Sequence, residues 1–249
     1  MLENQAVFHT DETLDDLILG KMKLIQPAHG YRFSLDAVLL AHFPILARVK
    51  QAVDLGTGNG IIPILLAARD AEIRIMGIEI QEAMVDRARR SVQFNHLENR
   101  IEIIPADIRE INNILPGGKA ELVLSNPPFW KNGEGHVNNN MEEAIARHEL
   151  KLNLEELVSQ GAYLLCPGGR MAIIHRADRL QEIIGIFTDH KLYPRRLRMV
   201  HPFIDRNAKL ILLEGQKSRP GNLSVLPPLV IYESTGEYCE EIKQIYREK

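Results

Sequence analysis

The sequence predicts an α/β fold: a seven-stranded, mostly parallel sheet with helices on both faces and an antiparallel hairpin at its C-terminal end. Three observations predict it. From residue 51 onward, short apolar runs alternate with amphipathic stretches, the pattern of strands joined by crossover helices. A glycine-rich turn, Gly56-Thr57-Gly58-Asn59-Gly60, separates the first run from the first amphipathic stretch. The last two runs are joined by only about six residues, "FIDRNA". That is too short for a crossover helix, so the two pair as a hairpin and supply one reversed strand.

The elements follow in order. Alternating apolar residues on both sides of Gly20 predict a small hairpin, and Ser34 is placed to cap a helix over 35–43. Strands are predicted at "QAVDLG" (51–56), "IRIMGIEI" (73–80), "IEIIPAD" (101–107), "ELVLSN" (121–126), "RMAIIH" (170–175), "RRLRMVHP" (195–202) and "AKLILLEGQ" (208–216). Helices fill the gaps at 61–69, 81–96, 153–165 and 178–190. The tail predicts one short edge segment and a final helix with Ile242, Ile245 and Tyr246 on one face. No repeat or linker interrupts this order. The expectation is therefore a single domain over 1–249, with an N-terminal decoration at 1–48, a ligand-binding core at 49–216 and a C-terminal edge segment and helix at 217–249.

Composition narrows the function classes. With 249 residues and 45% apolar content the chain can bury a sizeable core. No apolar run approaches the roughly 18 residues of a membrane span, and the acidic start is unlike a signal peptide, so the cytosol is the expected location. Two cysteines exclude a disulfide framework, and Cys166 within "AYLLCPGG" is expected to be a buried free thiol. The net charge of −3 argues against binding polyanions over the whole surface. Residues 191–220, however, hold eight basic and two acidic side chains, a local +6 that leaves −9 for the remainder. A basic face on an acidic body suits docking of a nucleic acid at one place, and equally an ordinary solvated face.

The chemistry sits at predicted strand ends. Asp54, Gly56, Gly58 and Gly60 lie between a strand and a helix, where glycine lets the backbone pass close under a ligand. Glu79 ends the second core strand, about 20 residues on, where an acid can accept both hydroxyls of a ribose. Asp107 ends the third, placed to accept from the exocyclic amine of adenine. An adenosine moiety is implied. The G-T-G-N-G spacing departs from the dinucleotide G-x-G-x-x-G and offers no evident pyrophosphate cradle. An acid at Asp54 would repel phosphate but could fix the loop and, through water, an amino acid's ammonium group, so S-adenosylmethionine fits better than NAD. The fourth core strand stops at Asn126-Pro127-Pro128-Phe129, since neither proline has an N–H for a sheet ladder. The histidines His136, His175 and His201 show no metal-ligand spacing, so no metal is expected.

"VDLGTGNG", "GIEI", "PAD" and "NPPF", in this order, resemble class I S-adenosylmethionine-dependent methyltransferases acting on planar exocyclic nitrogens. Within them, "GYRFSLDAVLLAHF" and "ARHE" resemble the bacterial tRNA1(Val) adenine-37 N6-methyltransferase family, a similarity covering residues from about 14 to 246. The resemblance implies a Rossmann-like class I methyltransferase fold and an enzyme that methylates an RNA base, most simply adenine N6 in a tRNA anticodon loop. It implies cofactor contacts from Asp54, Gly56, Thr57, Gly58, Asn59, Gly60, Glu79, Ile80, Asp107, Ile108 and Asn126, and catalytic roles for Asn126, Pro127, Pro128 and Phe129. The carbonyls of Asn126 and Pro127 would each accept one N–H of the target amine, turning its lone pair toward the methyl donor, while Phe129 stacks on the base.

RNA contacts are expected from Trp130, Lys131, Arg195, Arg196 and Arg198, with the base flipped outward. The polar stretch after Trp130 is expected to move until substrate binds, His148 to be a helix-surface or RNA-facing residue, and Arg32, Phe33 and Asp36 to close over the methionine end of the cofactor or to serve structure alone. DNA is disfavoured, because only about 33 residues follow the last core strand and leave no sequence-reading domain. Guanine N2 in ribosomal RNA, a protein glutamine amide and a non-catalytic cofactor-binding scaffold stay open as alternatives.

Overall fold

The computed structural model describes residues 9–17, 22–29, 34–127, 153–234 and 236–247. Eleven strands and six α-helices follow in this order: β1 (Glu12–Asp16), β2 (Lys23–Pro27), α1 (Leu35–His42), β3 (Gln51–Leu55), α2 (Ile61–Arg69), β4 (Arg74–Glu79), α3 (Glu82–Phe94), β5 (Ile101–Pro105), β6 (Ala120–Ser125), α4 (Leu154–Leu164), β7 (Leu165–Arg176), α5 (Leu180–Asp189), β8 (Leu192–His201), β9 (Leu210–Lys217), β10 (Ser224–Val225), β11 (Leu229–Val230) and α6 (Glu240–Arg247). The strand order of the main sheet is β5-β4-β3-β6-β7-β9-β8-β10, with β11 also pairing β8. All neighbours are parallel except at β7–β9 and β8–β9, so β9 is the one reversed strand of this sheet among the described residues.

The predicted class holds, with a correction to the strand count: nine strands instead of seven. The two additional strands, β10 and β11, lie where the tail predicts one short edge segment, and at two residues each they are too short for a period-2 pattern to separate them in sequence. β7 also begins five residues earlier than "RMAIIH", running through Cys166-Pro167-Gly168-Gly169, with a register shift against β6 between Ala120 and Leu122. Cys166 there is half-buried and free, less enclosed than its apolar surroundings predict.

Alternate residues of each strand feed two cores, as a pleated sheet requires. Leu122 and Leu124 of β6 join α1, α2, α3 and α6 on one face, whereas Val123 joins α4 and α5 on the other. Pro63 is tolerated in α2 because it lies in the first turn, where an N–H has no intrahelical partner. Asn153 and Glu156 form a reciprocal capping box at the start of α4, at 2.8 and 3.0 Å. Ser34 occupies the N-cap of α1 but makes no side-chain cap bond.

β1 and β2 pair antiparallel as predicted and dock on α3. Ser91 Oγ accepts from Ile25 N at 2.9 Å, and Asn95 exchanges bonds with the Lys23 backbone at 2.8 and 2.7 Å. Glu12 receives Arg90 bidentately at 2.7 Å and Arg87 Nε at 3.3 Å. The outer edge of β2 is thereby covered rather than left as a template for another chain. On α6, Ile242 is fully buried and Ile245 and Tyr246 pack beside it, as the sequence predicts. Among the described residues no helix is long and apolar enough to cross a membrane.

Candidate active site at the carboxyl edge of the sheet

The strand order reverses between β3 and β6, since the chain moves from β3 out to β5 and then returns to the far side of β3. A crevice at the carboxyl ends of the strands forms at such a switch point. Ser125 Oγ donates to Leu55 O at 2.7 Å and ties the two strand ends together in the interior. The glycine turn therefore lies beside Asn126 and Pro127, which follow β6 and are half-buried.

Gly56, Gly58 and Gly60 all have positive φ, at 77°, 57° and 88°. Gly60 is the most constrained: a Cβ there would meet the Ala88 Cβ at 3.2 Å, so the turn packs directly on α3. Gly77 in β4, which the sequence did not single out, has the same function from below: a Cβ would lie 2.9 Å from the Thr57 side chain.

The turn's own N–H groups are mostly engaged within the protein. Gly56 N and Thr57 N donate to Ile78 O at 2.9 Å, Gly58 N to Glu79 Oε2 at 2.9 Å, and Gly60 N to Thr57 O at 3.0 Å. With those donors turned inward and two acids beneath it, the turn is a poor phosphate cradle, as the spacing predicts.

Asp54 is fully buried, and its two carboxylate oxygens, Thr57 Oγ1 and Asn59 Oδ1 have no hydrogen-bond partner among the described residues. Burial, aided by the Glu79 charge, pushes the Asp54 carboxyl from 3.8 to about 7; the nearby Thr57 hydroxyl pulls the other way, although the two are not in hydrogen-bonding geometry. Glu79 is also raised by burial, against three backbone donors: Gly58 at 2.9 Å, and Ile80 and Gln81 at 3.0 Å. Those three bonds leave about one of a carboxylate's four acceptor positions, on Oε2. Ile108 is buried and Ile80 half-buried at the same edge.

Asp107 caps the 3-10 turn Ile108–Asn113 and is held by the Arg109 guanidinium, which keeps its carboxyl below the usual range. Arg109 was not singled out by the sequence. Asp36, in the first turn of α1, is half-buried, and burial raises its carboxyl. Pro128, Phe129, Trp130, Lys131, Arg32, Phe33, His136, His148 and the stretch following Trp130 lie outside the described residues.

The basic segment is not one face. Lys191, Lys217 and Arg219 lie at the amino edge of the sheet and Arg206 and Lys209 at the carboxyl edge, because β8 and β9 run in opposite directions. Arg196 donates to Phe43 O at 3.1 Å, sits 4.7 Å from the Phe43 ring centroid and pairs with buried Glu214 at 3.7 Å. Arg198 pairs with Glu241 of α6 at 2.6 Å. Both hold helices to the sheet. Arg195 stands at a register shift in β8, its guanidinium lying over Gly221.

A sheet of this order with acids at successive strand ends, a glycine turn and an Asn-Pro edge defines a methyltransferase. The family model for the methyltransferase small domain matches residues 35–184, and the chain belongs to that family. A protein of Porphyromonas gingivalis named tRNA1(Val) (adenine(37)-N6)-methyltransferase is 31% identical over 227 residues, 87% of each chain. One of the same name from Trichodesmium erythraeum is 28% identical over 85% of this chain and 89% of its own. In fold, the chain resembles a predicted O-methyltransferase from Agrobacterium tumefaciens, with a TM-score of 0.69 and 22% identity over 85% of this chain and 95% of that one.

Proposed function

We propose that this methyltransferase uses S-adenosylmethionine to methylate an exocyclic amine of an RNA base, N6 of adenine in a tRNA anticodon loop, and that it works in the cytoplasm where such RNA is found. The observation that carries the reading is the pairing of Asn126-Pro127 with the glycine turn across the Ser125–Leu55 link.

The residues present fit the cofactor. Four buried polar atoms without partners among the described residues, on Asp54, Thr57 and Asn59, suit a polar, cationic amino-acid group reached through water. Glu79 would hold one ribose hydroxyl through Oε2, rather than the two its position in sequence suggests. Asp107 would accept from the adenine amine, with Ile80 and Ile108 as apolar walls. Bound there, S-adenosylmethionine supplies an electrophilic methyl group.

The chain's part is positioning. The Asn126 side-chain carbonyl and the Pro127 backbone carbonyl would each accept one N–H of the target amine and draw its nitrogen out of conjugation with the ring. The amine's surplus proton passes to solvent, so no strong base is needed. With φ near −65° at proline, the acceptor directions are set before substrate arrives. Pro128 would help fix the direction of the Pro127 carbonyl, and Phe129 would stack on the base. Arg195 is the remaining candidate from β8 for an RNA phosphate, with Trp130 and Lys131 beside Phe129; Arg196 and Arg198 would act by fixing α1 and α6. The names of the 31%- and 28%-identical relatives support tRNA adenine as substrate.

The test is single-turnover methylation of bulk tRNA by the native protein and by Asn126→Ala. Loss of one positioned acceptor should lower the methylation rate about 100-fold or more, with RNA Kd nearly unchanged. A variant that works at full rate would remove the proposed role of Asn126.

A further inference from the structure

Asp107 is the residue assigned above to the adenine amine, and its carboxylate is already engaged. Arg109 Nε lies 3.0 Å from Oδ1 and 2.9 Å from Oδ2, Nη2 donates to Oδ2, and the Arg109 backbone N–H donates to Oδ1 at 2.9 Å. The Nε–H is shared between the two oxygens, so three N–H groups make four contacts, two on each oxygen, and occupy all of a carboxylate's about four acceptor positions. The backbone bond is the cap of the turn at 108–113 and stays whatever binds. The other two belong to a side chain that is 40% exposed, where an ion pair is weak and screened by salt. The Arg109 carbonyl accepts from Gln160 Nε2 of α4 at 3.2 Å, so the backbone is anchored while the guanidinium can swing away.

We propose that Arg109 is an internal competitor of the cofactor's adenine amine: its guanidinium holds the acceptor oxygens of Asp107 and must yield them when adenosine docks. Arg109 therefore sets cofactor affinity through an exchange of partners on one carboxylate. This inference rests on the S-adenosylmethionine reading above. The competition is chemically selective. An exocyclic amine donates and so contends with Arg109, whereas a carbonyl at the same ring position accepts and would profit from it.

The test is calorimetric binding of S-adenosylhomocysteine and S-inosylhomocysteine, which carries that carbonyl, to the native protein, Arg109→Gln and Arg109→Ala, at 50 and 500 mM salt. Both variants should bind S-adenosylhomocysteine about two- to fivefold tighter at low salt. The gain should vanish at high salt, where the native ion pair is screened, and should be absent for S-inosylhomocysteine. Weaker or unchanged binding of S-adenosylhomocysteine by the variants, or an equal gain for both ligands, would overturn the competition while leaving the cofactor assignment standing. A native protein that binds neither ligand would overturn the cofactor assignment itself, and the competition with it.

Discussion

Asp54→Asn separates the two demands placed on the glycine turn, stability and cofactor binding. The carboxylate is buried with no hydrogen-bond partner among the described residues, and its folded pKa of about 7 stands well above the 3.8 of an exposed aspartate. A raised pKa means that the folded state holds the proton more tightly. The stability this group contributes is then fully present below about pH 4 and lost as pH rises toward 7. The shift of about 3 pK units, at about 1.4 kcal/mol each, sets the whole effect at about 4 kcal/mol. About 2–3 kcal/mol of it falls between pH 5 and 8, because an unfolded aspartate is already mostly ionised at pH 5.

Asparagine has no proton to lose, so the variant should gain on the native protein by about 2–3 kcal/mol between those two pH values. Urea denaturation at pH 5, 6.5 and 8 reads this directly. The same substitution should weaken S-adenosylhomocysteine binding at pH 8 about tenfold or more, since an ionic acceptor for the ammonium group is gone. A stability gap that does not change with pH would refute the assignment of a raised pKa to Asp54, and tighter binding by the variant would refute its role toward the cofactor.

Three further outcomes are expected. Gly60→Ala places a side chain at φ 88° and 3.2 Å from the Ala88 Cβ, so it should destabilise the protein by about 1–2 kcal/mol in urea titration and lower cofactor affinity. Glu12, drawn down from 4.5 to about 2 chiefly by Arg90, contributes stability that is present above about pH 4.5 and lost as pH falls toward 2. Glu12→Gln should therefore cost about 3 kcal/mol at pH 7 and about half of that or less at pH 3, as thermal melts at the two pH values would show. Arg195→Glu should raise the RNA KM and flatten its salt dependence with cofactor Kd unchanged, whereas Arg198→Glu, which faces Glu241, should lower stability instead. Steady-state kinetics at two salt concentrations, beside a melt, distinguishes the two.

The parallel core was legible because its strands and helices are long enough to show a period, and because a six-residue connection leaves a hairpin as the only choice. The glycine turn and the acids at 54, 79 and 107 were legible from spacing alone. Partners distant in sequence were not. Ser125 joins Leu55 across 70 residues and Glu12 joins Arg90 across 78, and no local pattern marks either pair. Arg109 lies two residues from Asp107, yet whether its guanidinium folds back is a matter of rotamer, which sequence does not fix.

The basic segment shows a different failure. Summed charge ignores strand direction, so cations at opposite sheet edges were counted as one face. Alternation could have helped: Arg196 and Arg198 share a face with Leu122, Leu124 and Ile174, toward α1 and α6. The tail was legible only as one short edge segment, because the two-residue strands β10 and β11 lie below the length at which a periodicity is readable.

The most direct measurement of the central claim is nucleoside analysis of unmodified tRNA after incubation with the native protein and methyl-labelled S-adenosylmethionine, beside parallel incubations with ribosomal RNA and protein fractions. The proposed geometry predicts label in N6-methyladenosine from tRNA. Label in N2-methylguanosine from ribosomal RNA, in a protein glutamine, or in none of the fractions would contradict it.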